Sequence, residues 1–320
     1  MPHPVRVIEA RAPTLRVHER RARMTALKGM VHVLGGRYLA GDDRFYPEEQ
    51  PVTERTVGDL WVDVHPVTNA AFRRFVKATG YVTVAEQAPS ATDFPGARPE
   101  DLVPGSLVFT GTLGPVALDD WTQWWSWVPG ADWKHPQGPG STLHGRELHP
   151  VVHVAYEDAV AYAAWAGKRL PTEAEWEYVA RGGLQGAMYA WGDDFMPAGR
   201  PMANTWHGRF PWQNTSPHGW RLTSPVRSFP ANGYGLHDVT GNVWEWTDSV
   251  WSDDHAAPAS ASCCAPAAPA ALAESDQRVT KGGSHLCAPS YCLRYRPAAR
   301  QGHSVRSSTA HLGLRCVRDG

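Results

Sequence analysis

Tryptophan, glycine and proline together place the strongest limit on what this chain can fold into. The sequence contains 15 tryptophans, 30 glycines and 27 prolines among its 320 residues. Glycine and proline interrupt regular elements and mark turns, while tryptophan supplies a large, rigid apolar side chain. We therefore expect a compact domain, rich in turns, with aromatic side chains packed between irregular loops. No internal repeat and no shift in composition points to a second folded domain.

Charge and hydropathy exclude several classes of function. The chain carries 31 Lys and Arg against 32 Asp and Glu, a formal net charge of -1. It therefore lacks the positive field that drives sequence-independent binding to nucleic acid. No stretch approaches the roughly 20 apolar residues of a membrane span, and the N-terminus lacks the apolar core of a signal peptide. We expect a cytoplasmic protein with neither a nucleic-acid nor a membrane partner.

The N-terminal region differs from the rest of the chain. Residues 1–26 contain six arginines and few large apolar side chains, a composition that cannot bury enough surface to fold alone. We expect residues 1–26 to form a disordered arm and residues 27–320 to form the folded domain. The domain begins near Met30, where an apolar alternation runs into a glycine pair that predicts a strand followed by a turn.

Three helices are predicted, all as scaffold. The first covers residues 67–79, with Thr68 or Asn69 as its cap and a glycine as its end. The second covers residues 157–166. The third begins at a capping box formed by Thr172 and Glu175, and a glycine pair ends it.

Two irregular segments stand out by composition. Residues 121–133 hold five tryptophans, which either line a groove or, as we favour, pack in and around the core. Residues 256–273 form an Ala/Pro-rich segment that contains Cys263 and Cys264. Adjacent cysteines rarely bridge without strain, so we expect both to be free thiols.

A second pair of cysteines, Cys287 and Cys292, lies in a glycine-led and arginine-rich segment. Residues five apart point about 140° away from each other on a helix, and to opposite faces of a strand. Their sulfurs can converge only if the chain bends between them, and Pro289 with its neighbours supplies such a bend. Two converging thiols form either a disulfide or a site for a soft ion such as Cu(I) or zinc. Spacing alone leaves a disulfide, a metal site and two unrelated thiols open.

Nine blocks of sequence after the arm carry a resemblance to a known family. They are Leu34-Gly-Gly36, Pro66-Val-Thr-Asn69, His149-Pro-Val-Val-His-Val154, Trp165-Ala-Gly-Lys-Arg-Leu-Pro-Thr-Glu-Ala-Glu-Trp-Glu-Tyr178, Ala203-Asn-Thr-Trp-His-Gly-Arg-Phe-Pro211, Pro230-Ala-Asn-Gly-Tyr-Gly-Leu236, Gly241-Asn-Val-Trp-Glu-Trp246, Gly282-Gly-Ser-His-Leu-Cys287 with Tyr291-Cys292, and Leu312-Gly-Leu-Arg-Cys316. Through them, nearly the whole chain resembles the formylglycine-generating enzymes, or sulfatase-modifying factors. The block that ends in the two cysteines discriminates these enzymes from relatives of the same fold. The resemblance implies a single α+β domain of the C-type-lectin-like type with little regular secondary structure.

The resemblance also implies an activity. Members of this family use molecular oxygen to oxidise a cysteine in a Cys-x-Pro-x-Arg segment of an unfolded or nascent sulfatase polypeptide to Cα-formylglycine. It implies that Cys287 and Cys292 bind Cu(I), with the substrate thiolate as the third ligand. Ser284 would form a hydrogen bond in the site, and Tyr291 and Trp244 would wall the oxygen pocket. The plainer alternatives are a turn residue for Ser284 and ordinary packing for the two aromatic residues.

Two calcium sites are also implied by the resemblance. Candidate calcium site 1 consists of the carboxylates of Asp238 and Glu245 and the carbonyls of Gly241 and Val243. An all-oxygen set suits a hard ion, although without the resemblance this loop would be interpreted as a surface turn.

Candidate calcium site 2 maps onto Asn204, Thr205, His218 and Trp220. His218 stands where the family has an acidic ligand, and a neutral imidazole is a poor calcium ligand. Calcium at site 2 is therefore in doubt.

Other positions depart from the family pattern. The resemblance places Ala163, Ala180 and Pro297 where secreted members have cysteines of structural disulfides, which leaves Cys316 unpaired and fits a reducing cytosol. His311 aligns with an asparagine that is thought to face the substrate. Three further arginines follow the cysteine pair, and we expect at least two of them to form internal ion pairs. They are Arg294, Arg296 and Arg300.

The two leading hypotheses belong to different classes. The first is a copper-dependent oxidase that acts on a protein cysteine. The second is a non-catalytic, lectin-like module that binds peptide or carbohydrate through the tryptophan-rich surface. The intact pair of Cys287 and Cys292 favours the oxidase. A sulfoxide synthase of the same fold is disfavoured, because such enzymes need an additional iron-binding helical domain for which this chain is too short.

Overall fold

The computed structural model describes residues 28–91, 96, 98–256 and 276–320. The predicted N-terminal arm and the pair Cys263 and Cys264 lie outside the described residues. Within them, short strands alternate with long irregular stretches, which confirms the expected α+β architecture with little regular structure. The strands are β1 (Met30–Val33), β2 (Gly36–Ala40), β3 (Thr53–Val57), β4 (Leu60–Asp63), β5 (Gly105–Phe109), β6 (Trp125–Pro129), β7 (Trp244–Val250), β8 (Gln277–Lys281), β9 (Arg300–Ser304), β10 (Leu312–Gly313) and β11 (Val317–Asp319).

All three predicted helices are present, with shifts of one or two residues. Helix α1 (Asn69–Thr79) begins two residues later than predicted, because Thr68 is its cap and accepts a hydrogen bond from the backbone of Ala71. Helix α2 (Tyr156–Trp165) is displaced by one residue. Helix α3 (Glu173–Arg181) begins at the predicted capping box. Every helix in the described part is too short or too polar to cross a bilayer.

Four small sheets organise the described strands. Strand β4 lies between β1 and β11, and both pairings are antiparallel. A second sheet has the order β10-β7-β8-β9, in which β10 runs parallel to β7 and Leu312 pairs with Trp244. The pairs β2-β3 and β5-β6 complete the set. The segment that carries the cysteine pair leaves the end of β8, and β9 returns after it.

Tryptophan fills much of the core, as its abundance predicted. Trp176, Trp244 and Trp246 are almost fully buried. In the tryptophan-rich segment 121–133 the outcome is mixed: Trp124 is buried, while Trp121 keeps 52 % of its surface exposed. Tryptophans of that segment therefore lie both in the core and at the surface.

Candidate active site

The two sulfur atoms of Cys287 and Cys292 lie 3.1 Å apart. Both residues are free thiols, so the described geometry is not a disulfide. The chain bends between them as predicted, because the carbonyl of Ala288 accepts hydrogen bonds from the backbone N–H groups of both Tyr291 and Cys292. Cys287 is 2 % exposed, whereas Cys292 is only partly buried. A ligand that reaches the pair must therefore approach from the side of Cys292.

We call residues 282–292, which carry both cysteines, the thiol loop. The backbone geometry at the start of the thiol loop explains its glycine pair. Gly283 has a φ of +66°, and a Cβ atom there would lie 2.7 Å from the backbone oxygen of Arg294. Only glycine tolerates both the left-handed backbone and this close approach. The next residue closes a turn, since Ser284 N–H points to Cys287 Sγ at 3.4 Å and Cys287 N–H donates to the Ser284 carbonyl.

The electrostatics of the pair favour one thiol and one thiolate. The hydrogen bond with Cys287, aided by the charge of Arg294, lowers the pKa of Cys292 to about 7 although burial opposes this. Burial raises the pKa of Cys287 well above its usual value. Cys287 therefore keeps its proton and donates it toward Cys292, whose lower pKa makes its sulfur the more reactive of the two.

Aromatic side chains line the exposed side of the thiol loop. Tyr291 stacks on Phe210 with ring centroids 4.5 Å apart and meets the edge of Trp124 at 5.4 Å. It keeps 38 % of its surface exposed. Trp244, by contrast, is buried in the same hydrophobic cluster as Cys287. Tyr291 thus lies at the surface beside the pair, and Trp244 packs in the interior.

Ser284 has a partner that the sequence did not indicate. Its hydroxyl oxygen lies 3.0 Å from Nδ1 of His311, and it accepts a hydrogen bond from the backbone of Leu286 at 3.2 Å. The imidazole of His311 packs edge-on against Trp125 with centroids 4.8 Å apart. The residue that departs from the family pattern therefore contacts the serine of the site directly.

All three arginines after the cysteine pair form internal ion pairs, which confirms the expectation for at least two. The Arg294 guanidinium binds Glu48 at 2.6 Å, and Arg296 makes two bonds to Glu49, of 2.8 and 2.5 Å. The third, Arg300, binds a carboxylate of α3.

The contribution of residues 45–50 was missed from sequence. Besides supplying both glutamates, this segment places the Tyr46 hydroxyl where it accepts the backbone N–H of Leu293 at 3.0 Å. The only sequence signal for this contact was the adjacent pair Glu48 and Glu49 together with two arginines at positions 294 and 296.

Candidate calcium site 1 contains two buried carboxylates. Glu245 binds Arg315 at 3.0 Å and Trp176 Nε1 at 2.6 Å. Asp238 accepts the backbone N–H of Arg227 at 2.8 Å. Burial raises the pKa of both Asp238 and Glu245. Both oxygens of Glu245 already accept hydrogen bonds from Arg315 or Trp176, so a cation here would depend mainly on Asp238 and on backbone carbonyls, which are hard oxygen ligands.

Candidate calcium site 2 lacks a carboxylate, although the buried Asn204 Oδ1 has no hydrogen-bond partner among the described residues. The backbone N–H of Trp220 donates to Nδ1 of His218 at 3.2 Å, so the ring proton is on Nε2 and points to the carbonyl of Thr205 at 3.3 Å. The Asn204 amide donates to the carbonyl of Leu222. The imidazole already occupies the carbonyl that would face an ion, and it brings no negative charge.

No group of three or more His, Cys, Asp or Glu side chains within the described ranges is arranged to hold a metal. Any ion at the cysteine pair would therefore need a ligand from elsewhere, and any ion at site 1 would rely on backbone carbonyls.

The chain is similar to proteins of one known family. The family model described as "Sulfatase-modifying factor enzyme 1-like domain" matches residues 15–320. The chain belongs to this family. A formylglycine-generating enzyme of Mycobacterium tuberculosis is 57 % identical over 92 % of this chain and 98 % of its own length. The enzyme of Thermomonospora curvata is 47 % identical over 94 % of this chain and 96 % of its own length.

Two further comparisons mark the breadth of the sulfatase-modifying factor family. A mouse protein named "Inactive C-alpha-formylglycine-generating enzyme 2" is 40 % identical over 90 % of this chain and 85 % of its own length. The structure of PvdO from Pseudomonas aeruginosa covers 91 % of this chain and 94 % of its own, with a TM-score of 0.62 and 23 % identity. The PvdO likeness supports the fold alone. The high identity to proteins named formylglycine-generating enzymes supports an enzyme that converts a sulfatase cysteine to formylglycine.

Proposed function

We propose that this protein oxidises a cysteine of a sulfatase polypeptide, within a Cys-x-Pro-x-Arg segment, to Cα-formylglycine at the expense of molecular oxygen. The observation that carries the proposal is the approach of Cys287 and Cys292 to 3.1 Å beside the partly exposed side chain of Tyr291. The high identity to enzymes named for this activity supports it. The substrate is proposed to be an unfolded or nascent chain, because an extended segment reaches a partly buried thiol pair more readily than a segment held within a folded domain does.

The donor set at the pair fits Cu(I). Two thiol sulfurs are soft ligands, which favour Cu(I) over hard cations. The described residues supply no third side chain of the metal-binding types at this place, so a coordination position stays free for the sulfur of the substrate. When bound by Cys287 and Cys292, Cu(I) would supply oxygen activation and an anchor for the substrate sulfur.

The residues of the chain prepare this site in three ways. Burial of Cys287 and the partial exposure of Cys292 direct the substrate to one side of the pair. The stack of Tyr291 on Phe210 borders that side with apolar surface, which limits access of bulk water. Ser284 holds the turn of the thiol loop through its backbone N–H, which points to Cys287 Sγ, and its hydroxyl contacts His311.

A cytoplasmic location completes the proposal. The described cysteines, Cys287, Cys292 and Cys316, are all free, which agrees with a reducing compartment. Calcium at site 1 is proposed as a structural ion, because a ligand that binds only the folded state adds to its stability.

The test uses purified protein, Cu(I), oxygen and a peptide that contains Cys-Thr-Pro-Ser-Arg. Mass spectrometry should show replacement of the thiol by an aldehyde. Cys287→Ala and Cys292→Ala should each abolish product, while Cys316→Ala, at a cysteine without a hydrogen bond to the pair, should keep activity. Absence of product, or product undiminished in the first two variants, would refute the proposal.

A non-catalytic binding module is the second candidate, because a relative named inactive is 40 % identical to this chain. The same experiment separates the two functions. A binding module would retain the peptide, measured by fluorescence anisotropy, yet release it unchanged. It would also bind equally well after Cys287→Ala and Cys292→Ala.

A further inference from the structure

A cavity of about 390 Å³ lies beside α1, and none of its lining residues belongs to the thiol loop. We call it the α1 cavity. Its walls come from α1 and from residues 133–135 and 142–143. Sites for small molecules usually have volumes of about 300 to 1,000 Å³. The α1 cavity is therefore large enough to hold a ligand of its own.

The apolar wall of the α1 cavity is held in place by the core. It consists of Val76, Trp133 and Leu143. Trp133 is 3 % exposed and packs edge-on against Phe72, with ring centroids 5.3 Å apart. Its Nε1 donates a hydrogen bond to Glu86 at 3.3 Å. Trp133 cannot rotate to fill the cavity without losing both contacts, so the apolar wall is preformed.

The charges at the rim of the α1 cavity do not cancel. Lys134 is balanced by Glu86, whose carboxylate it binds at 2.5 Å. Arg73 and Lys77 are exposed on α1 and form no ion pair and no side-chain hydrogen bond with any residue of the described ranges. They lie one turn apart on the face of the helix that also carries Val76, and like charges at this spacing repel each other. An anion between them would be attracted by both.

The carboxylates near the cavity are already engaged. Glu86 accepts hydrogen bonds from Thr83 and Trp133 in addition to its ion pair with Lys134. Asp132 accepts two backbone N–H groups of the turn that follows it, at 2.6 and 2.8 Å. Neither carboxylate can turn toward the two unbalanced cations of α1 without losing these bonds. The positive charge is therefore left for a ligand.

The unbalanced charge and the apolar wall together select one class of ligand. A guanidinium binds a carboxylate through two parallel hydrogen bonds, and the wall offers contact to an apolar group. Inorganic phosphate would balance the charges but leave the wall uncovered. A neutral apolar molecule would cover the wall but leave the charges unbalanced.

We propose that the α1 cavity binds a small carboxylic acid with an aromatic or branched apolar body. Its carboxylate lies between Arg73 and Lys77, and its body lies against Trp133 and Leu143. A cavity of this volume has room for a ring and its acid group, whereas a polypeptide also needs a groove for its backbone. The site goes beyond the proposed oxidase function and uses different residues.

Fluorine NMR of the full chain with 4-fluorophenylacetate tests the inference. Broadening of the fluorine signal on titration with wild-type protein should give a saturable Kd of about 1 mM or lower. The uncharged analogue 4-fluorophenylacetamide has nearly the same shape and should bind about tenfold more weakly, because it makes no ion pair. Added salt should weaken binding of the acid and not of the amide. Inorganic phosphate should not displace the acid at equal concentration.

Matched variants of α1 locate the site. The double variant Arg73→Gln with Lys77→Gln removes both charges and should bind the acid about tenfold more weakly. Arg74→Gln is the control, because Arg74 is also exposed on α1 but does not line the cavity. It should bind the acid as wild type does. These side chains are exposed, so we expect all the variants to keep the wild-type melting temperature, and the comparison of acid with amide needs no variant.

Three results would overturn the inference: no saturable binding, equal binding of acid and amide, or equal affinities of the double variant and Arg74→Gln. Tighter binding of acetyl-Phe-Asp-amide than of the free acid would overturn the choice of a small acid in favour of a polypeptide. None of these results bears on the oxidase proposal, which is tested by the Cys-Thr-Pro-Ser-Arg peptide.

Discussion

Replacing Glu49 by glutamine should destabilise the fold by about 3 to 5 kcal/mol, the cost of leaving a buried charge without its partner. Glu49 and Arg296 are both fully buried, and two hydrogen bonds of 2.8 and 2.5 Å join them. Glutamine keeps the volume of the side chain, so no cavity forms. It removes the negative charge, however, and turns one of the two hydrogen bonds into a contact between two donors.

The matched control is Glu48→Gln. Glu48 makes the neighbouring ion pair with Arg294, but these side chains keep 20 % and 22 % of their surface exposed. Water can therefore solvate the charge left behind, and we expect a loss of only about 1 kcal/mol. A third variant, with Glu49→Leu and Arg296→Met together, removes both charges. It should recover most of the stability lost in Glu49→Gln, because two apolar side chains need no partner.

Urea denaturation followed by tryptophan fluorescence measures these differences from the midpoint of unfolding at constant slope. The reasoning fails if Glu49→Gln is as stable as Glu48→Gln, or if the double variant is as unstable as Glu49→Gln. Either result would mean that the Arg296 charge is solvated or balanced in some other way. The same samples should show weaker Cu(I) binding in Glu49→Gln, because Arg296 Nε also bonds the carbonyl of Leu293, next to Cys292.

Three further predictions concern acid, calcium and backbone conformation. Burial raises the pKa of Glu177, but Lys281 and a neighbouring arginine outweigh it and lower that pKa to about 2. The pKa of a glutamate in the unfolded chain is about 4.3. The free energy of unfolding should therefore fall as the pH drops from about 5 to about 2, and Glu177→Gln should reduce this pH dependence in urea titrations. Excess chelator should lower the melting temperature by removing calcium from site 1. His218→Asp should add a second calcium-dependent rise in the melting temperature, through site 2. An unchanged melting temperature in both experiments would contradict a structural role for calcium. Gly283→Ala should cost about 2 to 4 kcal/mol through left-handed strain and the clash with the Arg294 backbone, and it should abolish product formation by displacing the thiol loop; wild-type activity would contradict this.

Local signals in the sequence predicted local structure well. Thr68 and Thr172 cap helices as their side chains suggested, because a cap depends on atoms only two or three residues away. The bend around Pro289 was predictable for the same reason, and with it the approach of Cys287 to Cys292.

Contacts between distant segments were not predictable. Glu49 and Arg296 are 247 residues apart, and nothing in either segment indicates the other. The contact between Ser284 and His311 arises because β10 pairs in parallel with β7. Strand β10 has only two residues, which is too short for a periodic sequence pattern to predict its pairing. His311 could be recognised as a departure from the family, but its partner required the fold. The stability of the site and the hydrogen bonding of Ser284 both depend on such contacts.

The place of β11 in its sheet has a consequence for how the protein is made. Residues 317–319 pair with β4, more than 250 positions earlier, and Arg315 just before them balances the buried charge of Glu245. Strand β11 must therefore be synthesised and leave the ribosome before the first sheet is complete. Until then β4 exposes an unpaired edge, and a chain cut short by even a few residues would enter the cell as a substrate for proteases.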